Sequence, residues 1–362
     1  MRIGIDAQPF GKNPSGIGKY SIALVRYLFE AFPEATYYGY SNKDIYLPEN
    51  LLSKFVIKKE ESSLKRKLPD KVWLKLFAGQ LIAKDNIDVY FSTTGFFPKL
   101  KKSVKRVTIV YDLNYKLVPE KMGKLHYYSH LLFLKSDTQS ADFVISISQG
   151  TAKKTKKYFD KESHAIINPP IDAIYEPKDK IVVKEVLDKY NLNGKYLMTV
   201  GTIEPRKNLI TTINVFIDLI NHNKLNGYKL VLIGAGGWKN EGLIDLCNKY
   251  KNQILRLGYV SDEDLPYLYN GASLFLFPSI YEGFGIPVRE ALACGVPVVT
   301  SDIEELRESG GNSGVAYISP LDEMEYGHAI LAHLEFKVKP IVFKKQEAEV
   351  GKFINFFKTQ LK

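Results

Sequence analysis

The sequence predicts an α/β protein of two domains, each organised around a doubly wound parallel sheet. With 362 residues, the chain exceeds the ~100 to 200 residues of one ordinary domain. Short apolar runs alternate with longer amphipathic stretches, which is the pattern of successive βαβ units. The segment Asn168–Pro177 carries three prolines in ten positions and can hold neither a helix nor a central strand. We therefore expect Rossmann-like domains at 1–172 and 173–345 and a closing helix at 346–362.

The first domain begins with a short apolar strand at Arg2–Ala7. A loop rich in glycine and proline then leads to a helix, because apolar residues recur at helical spacing from Ile17 to Leu28. Three later runs are short, apolar and bounded by polar segments, as buried parallel strands are. These predicted strands are Val89–Ser92, Val107–Tyr111 and Phe143–Ser148.

The second domain shows the same alternation more regularly. Its predicted strands are Tyr196–Val200, Lys229–Ile233, Ile254–Leu257, Ser273–Phe277 and Val298–Thr300. Helices are predicted to begin near Asn208, Glu241, Asp262 and Pro287. Apolar residues at helical spacing from Val350 to Phe357 predict the closing helix, over Gln346–Lys362.

Composition excludes several classes of protein. Hydrophobic residues at 45% and charged residues at 25% match ordinary globular usage, so the chain is not mainly disordered. Two cysteines, Cys247 and Cys294, are too few for a disulfide framework, and no secretory leader precedes the first strand. No apolar run approaches the ~20 residues needed to cross a bilayer. We expect a cytoplasmic protein that does not span a membrane but could lie on one.

The net charge of +10 is concentrated in the first half of the chain. The segment 1–175 carries 28 basic and 17 acidic side chains, a net charge of +11, whereas the remainder has a net charge of −1. This asymmetry favours an anionic partner for the first domain, either lipid phosphate or nucleic acid. The alternative is a lysine-rich surface that serves solubility.

Three basic stretches account for much of this charge: Lys65–Lys67, Lys99–Arg106 and Lys153–Lys157. The first leads into Val72–Phe77, where Trp73, Leu74 and Phe77 give the composition of an interfacial helix. No motif typical of DNA or RNA binding accompanies the charges, so a membrane surface is favoured over nucleic acid.

The segment Val200–Asn208, VGTIEPRKN, stands between a predicted strand and a predicted helix. Open α/β sheets bind ligands at the carboxyl ends of their strands, and helix N-termini favour anions. Arg206 and Lys207 would add two cations to such a site, which suits a diphosphate. A solvated turn with two surface charges explains this segment equally well.

The segment Pro278–Val299 combines a glycine-rich loop with two acidic residues at a helix start. Gly283 and Gly285 permit close backbone approach to a ligand, with free amides aimed at it. The carboxylates of Glu282 and Glu290 are natural acceptors for sugar or ribose hydroxyls. The alternative is an exposed loop acid and a partner of the helix dipole, but the density of glycine, proline and acid favours a site.

Other motifs carry less weight. Gly16 and Gly18 precede a helix as in a phosphate loop, yet they lack the third glycine and the later acid of the dinucleotide fingerprint, and Val231–Trp238 fails it too. Asp262 and Asp264 form a D-x-D pattern, but Ser261 before them indicates an N-terminal cap. The histidines and cysteines show no ligand spacing, so neither NAD nor a metal site is predicted.

Three segments together resemble the retaining glycosyltransferases of family 4, which have the GT-B fold. They are RIGIDAQPFGKNPSGIGKY, VGTIEPRKNL and LGYVSDEDLPYLYNGASLFLFPSIYEGFGIPVREALACGVPVVTSD. The resemblance extends from Arg2 to about Asp322 and includes the E-x7-E motif from Glu282 to Glu290. It is closest to the bacterial mannosyltransferases that build O-antigen and related polysaccharides. Members of this family have two Rossmann-like domains that face a cleft.

The resemblance implies a nucleotide-sugar site in the second domain. Arg206 and Lys207 would bind the diphosphate, Glu290 the ribose, and Glu282 with the amides of Phe284 and Gly285 the transferred sugar. Gly258, Tyr259 and Val260 would contact the nucleobase. From the first domain, Gly16 and Gly18 would approach the diphosphate across the cleft, and Asp112 would be catalytic.

The implied reaction needs no metal and no bound cofactor. Loss of a nucleoside diphosphate places negative charge on the leaving oxygens, and preorganised cations and helix-terminal amides stabilise that charge. Retention then follows from attack on the same face, so no glycosidase-like carboxylate pair is expected.

The sequence departs from the family at two places. Tyr111 stands beside Asp112 where the family usually has a histidine facing the donor sugar, and tyrosine does not titrate near neutral pH. Pro169 and Pro170 occupy a linker that is usually more flexible.

Three functions therefore stay open. The first is mannosyl transfer from GDP-mannose to a lipid-linked or polysaccharide glycan by a protein peripheral to the cytoplasmic face of the plasma membrane. The second is the same fold acting on dTDP-rhamnose or a UDP-sugar. The third, motivated by Tyr111, is an inactive protein that binds carbohydrate or a lipid surface.

Overall fold

The structure is a computed structural model that describes residues 1–12, 14, 16–236, 241–336, 338–343 and 347–360. The chain forms two compact units. The first consists of Met1–Lys116, Lys124–Pro170 and Lys345–Lys362, and the second of Leu117–Gly123 and Ile171–Lys344. The chain therefore passes from one unit to the other within the proline-rich segment.

The first unit contains a parallel sheet of seven strands among the described residues. They are β1 (Arg2–Asp6), β2 (Thr36–Ser41), β3 (Phe55–Lys59), β4 (Val89–Ser92), β5 (Lys105–Val110), β6 (Phe143–Ser146) and β7 (Ala165–Ile166). Their order is β3-β2-β1-β4-β5-β6-β7, so the strand order reverses between β1 and β4. In such sheets ligands bind beyond the carboxyl ends of the strands at this switch point.

Helices of very different length connect these strands. They are α1 (Gly16–Ala31), α2 (Glu49–Leu52), α3 (Ser63–Arg66), α4 (Asp70–Trp73), α5 (Gly79–Ile82), α6 (Asn114–Leu117), α7 (Lys124–Ser140) and α8 (Gln149–Phe159). A π-helical turn, Leu74–Ala78, joins α4 to α5. The periodicity that predicts α1 arises because Tyr20, Leu24 and Leu28 are all buried against the sheet.

The second unit repeats the architecture with a six-stranded parallel sheet among the described residues. Its strands are β8 (Lys195–Val200), β9 (Tyr228–Ile233), β10 (Ile254–Gly258), β11 (Leu274–Phe277), β12 (Val298–Ser301) and β13 (Val315–Ile318). The order β10-β9-β8-β11-β12-β13 reverses between β8 and β11. Its helices are α9 (Lys180–Lys189), α10 (Leu209–Asn221), α11 (Glu241–Lys249), α12 (Leu265–Gly271), α13 (Ile286–Ala293), α14 (Glu304–Gly310) and α15 (Glu323–His333).

Both faces of the second sheet are covered, as the sequence predicts. Met198 packs in one apolar cluster with residues of α12 and α13, such as Leu268 and Leu292. Its neighbour Leu197 packs in another cluster with residues of α10 and α15, such as Phe216. Successive side chains of a strand point to opposite faces, so β8 contributes to both cores. The doubly wound α/β class is therefore confirmed.

The closing helix, α16 (Glu347–Gln360), packs in the first unit. The ring of Phe357 lies 6.4 Å from that of Phe91 in β4, and Phe356 lies 5.3 Å from Phe143 in β6. The predicted ends of this helix at Gln346, Leu361 and Lys362 lie outside the described residues, as does Trp238 of the predicted glycine run.

The helix predicted from Asp262 begins later, at Leu265. Residues 262–264 form a turn in which Ser261 Oγ accepts a hydrogen bond from the Asp264 amide at 3.2 Å. The Asp264 carboxylate is bound by Lys189 Nζ at 2.5 Å and by the Tyr190 hydroxyl at 2.6 Å. Ser261 thus caps this turn and not α12 itself, whose N-cap residue, Asp264, makes no side-chain capping bond. Asp264 instead helps to attach α9 to α12.

The interfacial helix predicted from Trp73, Leu74 and Phe77 is wrong. Trp73 and Leu74 are fully buried, and the Trp73 indole donates to Glu60 Oε2 at 2.8 Å. The Lys65 ammonium lies 4.9 Å from the centre of the Phe77 ring. Trp73 and Leu74 belong to the core because α4 and the π-helical turn pack on the unit, so these two side chains cannot enter a membrane.

In the part of the chain that the structure describes, no helix has both the length and the apolar character needed to cross a bilayer. Both cysteines, Cys247 and Cys294, are buried free thiols.

Candidate functional site

The principal candidate site lies in the second unit, where the strand order reverses. The loops that follow β8 and β11 begin at the carboxyl ends of two adjacent strands. The Ile280 amide donates to the Arg206 carbonyl at 2.9 Å, and Arg206 Nη1 donates to the Tyr281 carbonyl at 2.8 Å. These bonds join the two loops that the sequence singled out.

A close backbone approach fixes the first of these loops. The Gly201 amide donates to the Ile233 carbonyl at 2.9 Å, and the Ile203 amide donates to the Ala235 carbonyl at 3.0 Å. Gly234 has φ of +143°, and a Cβ placed there would lie 2.0 Å from the Gly201 carbonyl oxygen. Only glycine allows the ends of β8 and β9 to meet in this way.

Four charged side chains form one cluster in this crevice. Glu282 Oε2 lies 2.6 Å from Arg206 Nη1, and Glu282 Oε1 lies 2.6 Å from Lys207 Nζ. Arg206 also binds Glu204 Oε1, through Nε at 3.0 Å and Nη2 at 2.5 Å. The Lys207 ammonium lies 4.5 Å from the centre of the Phe277 ring. The structure thus brings Arg206, Lys207 and Glu282 together.

Burial makes this cluster strongly coupled. The side chains of Arg206, Lys207 and Glu282 are 16%, 12% and 9% exposed. Burial alone would raise the pKa of the Glu282 carboxyl, but the Arg206 and Lys207 cations outweigh it and lower that pKa to about 2. Burial lowers the pKa of the Lys207 ammonium, although Glu282 opposes that shift. The solvated-turn interpretation of Arg206 and Lys207 is therefore wrong.

The cluster has a definite chemical capability. With a pKa of about 2, Glu282 is ionised at neutral pH and acts as a hydrogen-bond acceptor, not as a proton donor. Arg206 and Lys207 balance the charges of Glu204 and Glu282, so the cluster has little net charge. An entering diphosphate would meet two cations whose positions the two carboxylates already set, so binding would not have to reorganise them.

Glu290 occupies a separate position on α13. The Tyr269 hydroxyl donates to Glu290 Oε2 at 2.9 Å, and the Tyr175 hydroxyl also bonds to this carboxylate. Both tyrosines are buried. The structure thus shows Glu290 held by the hydroxyls of two aromatic side chains. Glu282 is buried, so it is not the exposed loop acid of the alternative interpretation.

The start of α13 is shaped by Gly285. This residue has φ of +95°, and a Cβ on it would lie 2.4 Å from Leu306 Cδ2. It directly precedes the helix, so the amides of Phe284 and Gly285 lie at the positive end of the helix dipole. The Phe284 side chain is buried, with the Arg289 guanidinium 4.4 Å from its ring centre. Only its backbone is suited to the predicted ligand contact.

Two of the three predicted nucleobase contacts, Tyr259 and Val260, differ in exposure. Tyr259 is 61% exposed, whereas Val260 is 4% exposed and packs in the core. The preceding residue, Gly258, ends β10 with φ of +69° and accepts a hydrogen bond from the Gly234 amide at 2.8 Å. Of this pair, only Tyr259 has a side chain available to stack on a base.

In the first unit, Gly16 is the exposed first residue of α1, while Gly18 is buried in it. A Cβ on Gly18 would lie 2.6 Å from the Pro9 carbonyl and 2.7 Å from Pro14 Cβ. Packing of α1 against the preceding loop therefore accounts for Gly18 without a ligand. Two other residues of this loop, Asn13 and Ser15, lie outside the described residues. Phosphate binding by Gly16 and Gly18 stays a prediction.

The Tyr111 side chain is used within the first unit. Its hydroxyl donates to the Thr93 carbonyl at 2.8 Å and lies 2.9 Å from Ser21 Oγ, and burial raises its pKa. Asp112 follows it, half-buried, and its Oδ1 accepts from the Asn114 amide at 3.0 Å. Tyr111 thus connects β5 to the β4 loop and α1. The catalytic assignment of Asp112 stays a prediction.

Sequence reasoning missed several residues of these sites. Glu204 binds Arg206, and Tyr269 and Tyr175 hold Glu290. The position of Glu204 two residues before Arg206 was a usable signal, but Tyr175 and Tyr269 are distant in sequence and gave none. Asp6 is the fourth residue that the sequence analysis did not single out. It is fully buried at the end of β1, where Thr94 Oγ1 donates to its Oδ2.

Comparison with known proteins places this site in a recognised segment. Residues 184–334 match the family model described as glycosyl transferases group 1. The O-antigen chain mannosyltransferase B of Escherichia coli is 33% identical over 216 residues, which cover 58% of this chain and 56% of that protein. The O-antigen chain mannosyltransferase RfbU of Salmonella typhimurium is 28% identical over 264 residues, 71% of this chain and 67% of that protein.

The match covers 26% of a third relative, the serotype-specific mannosyltransferase WbdA of Escherichia coli, at 29% identity. The chain thus spans about half the length of the first relative and about a quarter of WbdA. The resemblance to bacterial O-antigen mannosyltransferases, stated from the sequence, is confirmed.

Solved structures agree on the fold. Sucrose-phosphate synthase from Thermosynechococcus elongatus superposes with a TM-score of 0.70 and 15% identity, over 99% of this chain and 98% of that chain. WaaG is described as a glycosyltransferase involved in lipopolysaccharide biosynthesis. It superposes with a TM-score of 0.70 and 15% identity, over 99% of this chain and 96% of that chain. The GT-B fold is therefore confirmed.

Proposed function

We propose that this chain, with its GT-B fold and its group 1 glycosyl transferase segment, is a retaining hexosyltransferase that moves mannose from GDP-mannose to a lipid-linked or polysaccharide glycan. The observation that carries the proposal is the buried cluster of Arg206, Lys207 and Glu282 at the strand-order switch of the second unit. The names of the relatives, which are O-antigen mannosyltransferases, support mannose as the transferred sugar.

In this proposal, Arg206 and Lys207 hold the diphosphate of the donor. The bond between the anomeric carbon and the phosphate oxygen breaks with its electron pair on that oxygen, and the two cations stabilise the resulting charge. The amides of Phe284 and Gly285 add the positive end of a helix dipole. The acceptor hydroxyl attacks on the face that the diphosphate leaves, and its proton passes to the departing phosphate oxygen. No metal and no bound cofactor takes part.

The two glutamates bind different parts of the donor. Glu282, ionised because its pKa is about 2, accepts hydrogen bonds from hydroxyls of the transferred sugar while it holds Lys207 in place. Glu290, steadied by Tyr269, accepts from the ribose hydroxyls. Tyr259, which is exposed, stacks on the base.

The first unit is proposed to bind the acceptor. The net charge of +11 on the segment 1–175 supports an acceptor presented at an anionic surface, such as the cytoplasmic face of the plasma membrane. The lack of a motif typical of nucleic-acid binding supports lipid over nucleic acid as that surface.

Thermal unfolding in the presence of nucleotides tests the donor assignment. A ligand at ~100 times its dissociation constant adds ~2.7 kcal/mol to the free energy of unfolding. We expect GDP to raise the unfolding midpoint more than UDP or dTDP, and Lys207→Ala to remove most of that rise. Lys251→Ala, which changes an exposed lysine of the same unit, is the matched control.

A larger rise with UDP or dTDP would overturn GDP-mannose and identify the other donor class. The absence of a rise with any of the three nucleotides would overturn the proposed nucleotide-sugar site.

A further inference from the structure

Helix α7 has one buried face and, opposite it, a face that carries exposed apolar side chains. On the inner face Leu134 and Thr138 are buried among the described residues. On the outer face Leu125, Tyr128 and Leu132 are 65%, 57% and 65% exposed. Adjoining apolar side chains on a protein surface often mark an interaction site, so the outer face calls for an explanation.

The exposed residues form one continuous stripe. Leu125, Tyr128 and Leu132 follow the i, i+3, i+7 spacing that places side chains on one face of a helix. Leu131, 48% exposed, adjoins Tyr128 on the same side. We call these four residues the α7 stripe. Its length of about 10 Å follows from a rise of ~1.5 Å per residue.

The orientation of α7 is fixed by contacts on its other side. The Lys71 ammonium lies 3.1 Å from Ser129 Oγ, and Lys75 binds the Asp137 carboxylate and lies 4.7 Å from the centre of the Phe133 ring. These contacts attach α7 to α4 and to the π-helical turn. The α7 stripe is therefore presented outward by a packed element.

The exposed charges that α7 itself carries are of one sign, although the Asp160 carboxylate at the end of α8 interacts with Lys135. Lys124 lies one turn before Tyr128, and Lys135 lies one turn after Leu131, and both are exposed. The only carboxylate within Lys124–Ser140 is Asp137, which is buried and bound by Lys75. An apolar stripe with a lysine at each end and no exposed acid on the helix complements an anionic lipid surface.

We propose that the α7 stripe is the surface with which this chain docks on an anionic lipid bilayer. Leu125, Tyr128, Leu131 and Leu132 enter the boundary between headgroups and acyl chains, and Lys124 and Lys135 contact lipid phosphates. This inference rests on the proposed function in one respect: a lipid-linked acceptor would be met at such a surface. It replaces the incorrect interfacial helix around Trp73 with a helix whose apolar side chains are exposed.

Vesicle flotation of the full chain tests the proposal. We expect binding at low salt to vesicles of phosphatidylcholine mixed with phosphatidylglycerol, and weak binding to pure phosphatidylcholine. The Leu125→Ser/Leu132→Ser variant should lose at least tenfold in vesicle affinity. Ile181→Ser/Met324→Ser is the matched control, because both residues are 71% exposed and lie on helices of the second unit.

A second variant separates the charges from the apolar side chains. Lys124→Gln/Lys135→Gln should weaken binding to the phosphatidylglycerol vesicles by severalfold and reduce its dependence on salt, because fewer lipid phosphates are neutralised. All variants are checked for the wild-type unfolding midpoint and for the rise that GDP produces.

Wild-type vesicle affinity in the Leu125→Ser/Leu132→Ser variant would overturn the proposal. So would a wild-type dimer in light scattering that the same variant converts to a monomer, because the stripe would then join two copies of the chain. If the wild type binds vesicles through the stripe but no nucleotide stabilises it, the proposed function fails and the docking surface stands.

Discussion

Glu282 and Glu290 are the same residue type in one motif, yet their surroundings give them different chemistry. Two buried cations hold the Glu282 carboxylate, whereas a tyrosine hydroxyl at 2.9 Å holds Glu290. In the proposed function, the carboxylate beside the cations acts on the transition state, and the carboxylate at the ribose acts on donor binding.

Glu282→Gln keeps the size of the side chain but removes its charge. Because Arg206 and Lys207 lose the carboxylate that positions them, we expect kcat for the donor to fall at least ~100-fold, the scale of losing one preorganised electrostatic contact. Steady-state kinetics of donor turnover gives the measurement, with circular dichroism as the folding check.

Glu290→Gln is the matched comparison. It should raise the KM for the donor more than it lowers kcat, because the ribose is remote from the bond that breaks. Equal kcat in wild type and Glu282→Gln would contradict the assigned role of Glu282.

Asp6 gives a prediction about pH. Burial raises its pKa from 3.8 to about 7 even though Thr94 and the Gln8 amide bond to it, and the nearby Asp70 adds to the rise. Between these two pH values the folded protein holds a proton that the unfolded chain has released, so stability falls as pH rises through this window. Each unit of pKa difference corresponds to ~1.4 kcal/mol.

Asp6→Asn removes this dependence, because the amide can still accept from Gln8 and bond to Thr94. We expect the variant to gain stability relative to wild type between pH 5 and pH 8, by up to a few kcal/mol on the same scale. Urea denaturation at pH 5 and pH 8 measures the free energy of unfolding of the variant and of the wild type. Asp245→Asn, which changes an exposed aspartate, is the control. If the stability difference between Asp6→Asn and wild type is the same at pH 5 and pH 8, Asp6 is not a buried neutral group.

At the scale of elements, the strand ends of the second unit depend on Gly234. Gly234→Ala places a Cβ at 2.0 Å from the Gly201 carbonyl oxygen, so the loop that carries Arg206 and Lys207 must move. We expect weaker donor binding and a lower urea midpoint than in wild type.

Gly194→Ala separates this clash from backbone strain, since Gly194 also has a positive φ, +99°, but has open space around its Cβ position. Both variants place an alanine at a positive φ that favours glycine. Only in Gly234→Ala does the new Cβ also clash with the backbone of another strand end. Equal donor affinity in the two variants would show that the contact between the β8 and β9 ends does not position the cations.

The sequence predicted the elements whose periodicity is strong. The strands from β8 to β12 are confirmed to within one residue, and helix α1 begins one residue before the predicted Ile17 and ends three residues after Leu28. Trp73 was misjudged because a tryptophan next to lysines has the same local pattern on a surface as in a core, and only the partner Glu60 distinguishes the two.

The candidate site was predictable in part for the same reason. Arg206, Lys207 and Glu282 stand in local motifs at strand ends, and the structure joins them. The bond between Tyr269 and Glu290 depends on how α12 packs against α13, which a local pattern does not encode.

At the scale of the whole molecule, each unit places polar or charged side chains where its strand order reverses. In the first unit Asp6 at the end of β1 meets Thr94 after β4, and in the second Lys207 after β8 meets Glu282 after β11. The net charge of the chain lies almost entirely in the segment 1–175. A charge-balanced cluster in the second unit and an excess of basic residues in the segment 1–175 agree with the proposed transfer from a nucleotide sugar to an acceptor at an anionic membrane.

The central claim is that Arg206, Lys207 and Glu282 promote departure of GDP from GDP-mannose with retention. The most direct test is to follow donor hydrolysis by proton NMR before mutarotation equilibrates the mannose anomers, with Glu282→Gln as the inactive control. If the anomeric configuration is retained, α-mannose and GDP form first in the wild type and do not form in the variant. Initial formation of β-mannose, or hydrolysis of a UDP-sugar or dTDP-sugar in preference to GDP-mannose, would contradict the central claim.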